Sequence, residues 1–316
     1  MNDFEPDTKQ LAPGLVTAEP RAVADRDVDH EIVGHAPRLV RSLRTFAANR
    51  LAVVGAVIVV VLVMFCFIGP LLYHTDQINT NLQQAHLAPF TDGHPLGTDE
   101  LGHDVLGRLM VGGQVSIEVG FASAALATLL GTAVGAIAGY FGGFPDSLLM
   151  RIVDGFMAIP ALFIVIVLGS IYRATEGLLI IVIAGLSWLV TARLVRGDTL
   201  SLRTRDYVEV VRLSGGSGWR AVVGHIIPNA IGTIVVSGTF QVADAILLLA
   251  SLDFLGLGIP PPAASWGQML SSGINYAYDG YWWLIVPPGI AISLVVLGFN
   301  FLGDGLRDAL DVRLRN

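Results

Sequence analysis

The stretch LAVVGAVIVVVLVMFCFIGPLL, residues 51–72, decides the fold of this chain, because it holds no charged side chain. A helix needs about 20 consecutive apolar residues to cross the hydrocarbon core of a bilayer. Residues 119–141 and 281–303 are equally free of charge, and Trp282 and Trp283 form an aromatic belt at the start of the latter. All three stretches therefore predict transmembrane helices.

Three weaker stretches follow the same pattern, namely 152–172, 177–192 and 230–252. The first contains Asp154 and Pro160, the second is short, and the third contains Gln241 and Asp244. Each is still close to the length that a span requires. The sequence therefore predicts an all-α membrane protein with six transmembrane helices.

The composition indicates that lipid is the main solvent of this 316-residue chain. Hydrophobic residues make up 53% of it and charged residues only 14%, whereas a soluble domain carries about a quarter charged residues. The single cysteine, Cys66, excludes a disulfide framework and a thiolate metal site. The net charge of -7 argues against nucleic-acid binding.

The basic residues indicate which way the spans point. Of the 19 basic residues, 18 are arginine, and the only lysine is Lys9 in the polar N-terminal tail. With an even number of spans, 17 of the 19 lie on one side of the membrane and only Arg108 and Arg173 on the other. Because cytoplasmic loops carry an excess of Lys and Arg, this asymmetry predicts cytoplasmic N and C termini.

The N-terminal region precedes the first span and divides in two. Residues 1–37 hold eight acidic and three basic residues without apolar periodicity, which predicts a disordered cytoplasmic tail. From residue 38 the pattern changes, since Arg38, Arg41 and Arg44 recur at every third position among apolar residues. Residues 38–50 are therefore predicted to form an interfacial amphipathic helix.

A ladder of glycines marks the second span, where Gly131, Gly135 and Gly139 repeat at every fourth position. Small residues at this spacing let another helix approach backbone to backbone. Glycine is also common in membrane helices generally, but three glycines in register favour a packing seam.

Polar side chains inside the spans are candidates for a pore, because a charge near the bilayer centre costs about 3 kcal/mol. Gln241 and Asp244 lie one turn apart and are predicted to share a face. They either line a wetted path or hydrogen-bond to a neighbouring helix, and both alternatives stay open.

Asn300 is expected at the inner end of the last span, where it caps the helix or shapes the exit. Asp154 is expected to pair with Arg151.

The longest loop on the arginine-rich side, residues 193–229, predicts two short helices broken at Gly215 and Gly216. The first runs from about residue 206 to 214, and Ser217 caps the second, which ends at Pro228. A helix-turn-helix joined directly to a span is suited to passing a push from a soluble partner into the membrane. The alternative is a passive connector, although most loops are only about 4–6 residues long.

The same loop resembles a known family. The stretch EVVRLSGGSGWRAVVGHIIPN, residues 209–229, resembles the Glu-Ala-Ala loop of bacterial ABC importer permeases. Glu209, Gly215, His225 and Pro228 stand at the spacing of the dipeptide, oligopeptide and nickel branch of that family.

Four further stretches resemble blocks of the second, C-type permease subunit of this branch: HPLGTDELGHDVLGRLMVGG (94–113), AGYFGGFPDSLLMRIVDGFMAIP (138–160), FLGLGIPPPAASWGQML (254–270) and FNFLGDGLRDALD (299–311). With the loop they follow the family's order and cover nearly all of residues 90–311. Five blocks in sequence at family spacing make the resemblance specific.

Two positions depart from the family pattern. Val210 and Val211 stand where the family usually has alanines. The branch often has a carboxylate five or six residues before Phe254, where this chain has leucines, and the acid here is Asp253 instead. Whether Asp253 takes the place of that family carboxylate stays open at this point.

The resemblance implies a type I ABC importer permease fold and a permease subunit that translocates dipeptides or oligopeptides across the bacterial cytoplasmic membrane. A nickel-chelate importer of the same family is the alternative. The resemblance further implies a heterodimer with a homologous permease subunit, two ABC ATPase subunits that bind ATP and Mg, and an extracytoplasmic substrate-binding lipoprotein. No cofactor is expected in this chain. The residues expected to contact the ATPase are Glu209, Arg212, Gly215, Gly216, Ser217, His225 and Pro228.

The resulting domain boundaries place the first helix at 51–72 and an extracytoplasmic loop at 73–114. A permease core at 115–311 contains the other five spans and the cytoplasmic coupling loop 193–229, and a C-terminal tail at 312–316 completes the chain.

A membrane-embedded enzyme is the alternative from another class. A phosphate-binding loop needs a lysine after its glycines, and Lys9 lies in an unsuitable sequence, so ATP hydrolysis is expected in partner subunits. A metalloprotease helix needs two histidines four residues apart, whereas His30 and His35 are five apart. His94 and His103, near Asp92, Asp99 and Asp104, are expected to be solvated outer-loop residues rather than metal ligands. No catalytic residue and no metal site are therefore expected.

Overall fold

A computed structural model describes residues 45–311 of the chain. The predicted tails, 1–37 and 312–316, lie outside the described residues, as do residues 38–44 of the predicted amphipathic helix. Residues 45–48, at the end of that segment, are helical.

The described residues form an all-α fold, as predicted, with two isolated β-bridges in the loop after the first helix. In chain order the helices are α1 (Arg50–Leu72), α2 (Val105–Phe141), α3 (Gly143–Met157), α4 (Ala161–Ile171), α5 (Glu176–Leu202), α6 (Asp206–Leu213), α7 (Gly218–Ala221), α8 (Ile231–Phe254), α9 (Trp266–Ile274) and α10 (Val286–Asp311). Within residues 45–311, five are long and apolar enough to cross a membrane, namely α1, α2, α5, α8 and α10 with its preceding turn.

The predicted span 152–172 is not one continuous helix. It contains the end of α3 and all of α4, which are bent by 77° at a short break, so a sixth span exists only if the pair counts as one. Pro160 precedes the first residue of α4 with an extended ψ of 124°. Proline has no N–H to donate and its ring disfavours helical backbone in the residue before it, so a helix ends here.

Helix α2 begins at Val105, well before the predicted start at residue 119. The charged residues Arg108 and Glu118 interrupt the apolar window but do not interrupt the helix. Asp104 caps it, because its Oδ1 accepts a hydrogen bond from the Gly107 backbone N–H at 2.7 Å. With 37 residues, α2 is about 55 Å long and exceeds the hydrocarbon thickness of a bilayer.

The glycine ladder of α2 packs directly on the backbone of α5. A Cβ atom added at Gly131 would lie 2.7 Å from the carbonyl oxygen of Trp188, and one at Gly135 would lie 2.4 Å from that of Ala192. At Gly139 it would lie 2.9 Å from the carbonyl oxygen of Arg196. The two helices therefore approach more closely than any larger residue on this face of α2 would allow.

Helices α8 and α10 run antiparallel beside this pair. Gly232, at the start of α8, faces Leu310 near the end of α10, and Phe240 packs over Gly303. On its other side α10 contacts α1, where a Cβ at Gly55 would lie 2.7 Å from the Gly298 carbonyl oxygen. The apolar core is thus built where α1, α2, α8 and α10 meet.

The seam between α2 and α5 generates a prediction. Replacing Gly135 with Leu forces a side chain into the Ala192 backbone, and overpacking of this kind costs about 1–3 kcal/mol. We expect a lower thermal unfolding midpoint for the purified Gly135→Leu protein in detergent. The matched control is Gly185→Leu on the exposed side of α5, where nothing lies within 4 Å of the added Cβ. Equal midpoints for the two variants would contradict the packing argument.

Candidate functional site

The segment between α5 and α8, residues 203–229, forms a helix-turn-helix loop. Helix α6 ends at Leu213, and the chain reverses at Gly215, whose φ of +75° is left-handed and favours glycine. The Ser217 side chain then caps α7 by accepting a hydrogen bond from the Arg220 N–H at 3.3 Å. The two predicted helices are present, although residues 193–202 belong to α5.

The second helix of the loop extends beyond α7. A π-helical turn (Val222–Ile226) and a last helical turn (Ile227–Asn229) continue it to the start of α8. The chain therefore passes from the helix-turn-helix loop into the membrane helix with only Ala230 between them.

The helix-turn-helix loop is fastened to the end of α2. The Arg212 guanidinium lies 4.8 Å from the centroid of the Tyr140 ring, and its Nε donates a hydrogen bond to the Tyr140 hydroxyl at 3.2 Å. Arg203 donates through Nη1 to the Gly139 carbonyl oxygen at 3.0 Å. Val208 and Ile226 are fully buried against Tyr140 and its neighbours. A displacement of the loop must therefore displace the end of α2 as well.

The helix-turn-helix loop is also largely exposed. Five of the seven residues predicted for ATPase contact are solvent-accessible: Glu209, Arg212, Gly215, Ser217 and Pro228. Arg212 is among them although it also contacts Tyr140. Gly216 is half-buried, and the half-buried His225 ring lies 6.4 Å from the ring of Tyr207 on α6.

Large apolar side chains are also exposed on this loop, and sequence reasoning missed them: Val210, Leu213, Trp219 and Val223. The Trp219 ring also lies 6.1 Å from that of Phe141 at the end of α2. Leu213 is the most open of the four, with 82% of its surface exposed. The signal was available, because these residues alternate with the buried ones at helical spacing. Apolar side chains that stay exposed on a polar loop make it a candidate docking surface.

A polar junction joins three helices inside the membrane region. The Gln241 side chain of α8 donates to the Ser187 carbonyl oxygen and the Thr191 hydroxyl of α5, at 2.8 and 2.7 Å. Its Oε1 accepts from the Thr128 hydroxyl of α2 at 3.1 Å. The Thr191 hydroxyl also lies 2.7 Å from that of Ser237. Gln241 is therefore buried and engaged in helix packing, so it does not line an open path.

Asp244 lies one turn beyond Gln241 on α8, but the two side chains differ in burial. Three residues turn a helix by about 300°, which leaves the two side chains about 60° apart. Neighbouring helices cover the side chain of Gln241 but not that of Asp244, so Gln241 is buried and Asp244 is exposed.

Asn300 of α10 lies near the depth of Asp244. Phe240 is level with Gly303, and the two helices are antiparallel. Asp244 lies four residues after Phe240, which is about 6 Å along α8, and Asn300 lies three residues before Gly303, which is about 4.5 Å along α10. Because the helices are antiparallel, both displacements run toward the same end of the helix pair. Asn300 is half-buried, and it does not cap α10, which continues to Asp311.

The loop after α1, residues 73–104, is folded rather than solvated, which corrects the expectation for its polar residues. Asp104, only 3% exposed, accepts a hydrogen bond from the Tyr73 hydroxyl at 2.9 Å and lies 2.8 Å from His94 Nδ1. Burial, followed by the bond to this carboxylate, raises the pKa of Tyr73 to about 12.

A second buried group in this loop joins Asp99, His103 and Arg108. The Asp99 carboxylate lies 3.1 Å from His103 Nδ1 and 3.5 Å from Arg108 Nε. Of the three aspartates named in this loop, Asp92, Asp99 and Asp104, only Asp92 is exposed. These contacts hold the loop over the start of α2. Within residues 45–311, no three His, Cys, Asp or Glu side chains are grouped so as to hold a metal ion.

The expected pair of Asp154 with Arg151 is wrong. Asp154 pairs with Arg193 of α5 at 2.5 Å, and Asp146 accepts two hydrogen bonds from Arg196 at 2.5 and 2.7 Å. Sequence reasoning favoured the neighbour in the chain, whereas the packing of α3 on α5 supplies arginines that lie far away in sequence.

Comparison with known proteins gives consistent matches. Residues 131–316 match the family model described as binding-protein-dependent transport system inner membrane component. Residues 38–89 match the N-terminal TM domain of oligopeptide transport permease C.

Individual relatives are similar over most of their length. The chain is 42% identical to the oligopeptide transport system permease protein OppC of Bacillus subtilis over 270 residues, which covers 85% of this chain and 88% of the relative. It is 38% identical to the dipeptide transport system permease protein DppC of the same organism, over 86% of this chain and 85% of the relative. It is 37% identical to OppC of Haemophilus influenzae, over 93% and 94%.

The polar junction at Gln241 yields a second prediction. Gln241→Leu removes three hydrogen bonds between helices, and such bonds in membrane proteins contribute about 0.6–2 kcal/mol each. We expect a lower unfolding midpoint in detergent. Ser251→Ala on the same helix is the control, because the Ser251 hydroxyl bonds only the Leu247 carbonyl of its own helix. A Gln241→Leu protein as stable as the control would show that the junction is dispensable.

Proposed function

Because the chain belongs to the family of binding-protein-dependent transport system inner membrane components, we propose that it is the permease subunit of an ATP-driven importer of dipeptides or oligopeptides. It is a multi-pass protein of the bacterial inner membrane and a transport subunit rather than an enzyme. The observation that carries the coupling part of the proposal is the helix-turn-helix loop, which exposes apolar side chains and is fastened to the end of α2.

The substrate class rests on the relatives. The three named above are 37–42% identical and carry names for oligopeptide or dipeptide transport, which supports peptides over the nickel-chelate alternative. A path for peptides of many sequences needs width and a few polar groups rather than a tight pocket. The exposed face of α8 and α10 with Asp244 and Asn300 is our candidate for that path.

In this proposal, the partner subunits supply the energy for transport by hydrolysing ATP. The only lysine of the chain is Lys9, so no phosphate-binding loop of the usual kind is encoded, and ATP and Mg are bound by two ABC ATPase subunits. A homologous permease subunit completes the path as a heterodimer, and an extracytoplasmic lipoprotein delivers the peptide.

The orientation follows from charge. With the arginine-rich side in the cytoplasm, the helix-turn-helix loop faces the ATPases and the folded loop 73–104 faces the lipoprotein. On the ATPase side, the contact would consist of the seven residues predicted from the sequence together with the four exposed apolar residues. Arg212 has a second role, since it also holds the loop against Tyr140.

Reconstituted uptake tests the proposed function. Proteoliposomes that contain this chain, its homologous permease subunit and the two ATPases, supplied with the binding protein outside, are expected to accumulate labelled di- and oligopeptides when ATP is present. Omission of ATP or of the binding protein should abolish accumulation. Accumulation of a nickel chelate without any peptide uptake would overturn the substrate, and uptake that needs no ATP would overturn the mechanism.

Gly215 provides a third prediction, specific to the coupling surface. Its left-handed backbone costs a branched or bulky residue about 1–2 kcal/mol, although nothing in the described chain lies within 4 Å of an added Cβ. We expect Gly215→Leu to assemble with its partners but to lose most peptide uptake, because strain and a new side chain both fall on the proposed docking surface. Gly215→Asn should retain more peptide uptake than Gly215→Leu, because asparagine tolerates the left-handed conformation. Normal uptake by the assembled Leu variant would contradict the assignment.

A further inference from the structure

Asp244 is a carboxylate of the membrane region that helix packing leaves without a partner. It lies near the middle of α8 and is exposed. Within residues 45–311, no Arg, Lys or His nitrogen lies within 4 Å of it, and the neighbouring Gln241 amide is used in the polar junction. Two arginines of α5, Arg193 and Arg196, are already paired with Asp154 and Asp146 of α3.

An ionised carboxylate at this position does not face lipid. Its transfer to the bilayer centre costs about 3 kcal/mol on insertion scales, so it is retained where water or a cation reaches it. The same exposed side of α8 carries Leu247, Ser251 and Phe254, so the charge sits in an otherwise apolar or weakly polar stripe. A cation that pairs with Asp244 would therefore come from outside the described part of this chain.

The proposed substrate carries such a cation. Peptides of different sequence share a backbone and, at one end, a free α-ammonium group. A permease that serves many sequences can recognise only these shared groups. Asn300 lies near the depth of Asp244 and offers an amide that can donate to a peptide carbonyl and accept from a peptide N–H.

We propose that Asp244 is a specificity-determining residue that receives the α-ammonium group of the peptide during passage, with the Asn300 amide beside it on the peptide backbone. This inference rests on the proposed function, and it adds that the membrane subunit itself selects for a free amino terminus. A contact between ammonium and carboxylate is charge-assisted and stronger than one between neutral groups. An N-acetylated peptide lacks the α-ammonium group and therefore does not make this contact.

The experiment compares uptake of trialanine and N-acetyl-trialanine by the complete reconstituted transporter. Each rate is divided by the occupancy of the binding protein, measured separately for each peptide, so that only membrane discrimination remains. The wild type should prefer the free amine. Asp244→Asn should lower this preference about tenfold, equivalent to about 1.4 kcal/mol, and Asp244→Glu should retain it.

Asp304→Asn is the matched control, because it removes the same charge from an exposed position of α10 four residues beyond Asn300. An unchanged preference in Asp244→Asn overturns the inference. An equal loss of the preference in both Asn variants also overturns the inference. The effect would then come from negative charge in general rather than from a contact with Asp244. If Asp244→Asn fails to co-purify with the homologous permease subunit while Asp244→Glu succeeds, the carboxylate pairs with a cation of that subunit, and the inference is again overturned.

A second measurement does not depend on the binding protein. Asp244→Cys in the complete transporter is treated with a cationic methanethiosulfonate reagent, with the parent chain, whose only cysteine is the buried Cys66, as the background. Modification that trialanine slows supports the inference, and absence of modification overturns it. Failure of the proposed function is distinguishable, because in that case the wild type takes up neither peptide.

Discussion

The backbone contact between α2 and α5 is the constraint on which the rest of the structure depends. Gly131, Gly135 and Gly139 remove three side chains from the seam, so the helices meet at a distance that no larger residue permits. This closeness brings Thr128 of α2 and Thr191 of α5 within reach of the Gln241 amide of α8. It also brings the end of α5 beside the end of α2, where the helix-turn-helix loop is fastened.

Helix α2 connects the two polar ends of the molecule. At its start, Asp104 caps the helix and binds Tyr73 and His94 of the folded loop. At its end, Tyr140 receives Arg212 of the helix-turn-helix loop. The proposed lipoprotein side and the proposed ATPase side are therefore joined by one continuous α-helix of 37 residues.

Much of the fold could be predicted from local sequence, because the signals are local. Apolar length located the spans, and Gly215 and Ser217 located the turn and cap of the loop. Five motifs in order identified the family. Candidate site residues were harder, since their environment depends on distant partners. Asp154 pairs with Arg193 rather than Arg151, and the contact of Tyr140 with Arg212 joins residues 72 positions apart in the chain.

The sequence by itself determined that this is a helical membrane permease with a structured loop and no lysine for phosphate binding, because hydropathy, turn residues and motif spacing are properties of the chain alone. The tertiary structure alone decided that Gln241 is engaged in packing and Asp244 is free, and that the polar residues of the outer loop are buried. Helical periodicity states which residues are near one another on a face. It does not state which neighbouring helix covers that face, and a difference of about 60° is enough to separate a packed amide from an exposed carboxylate.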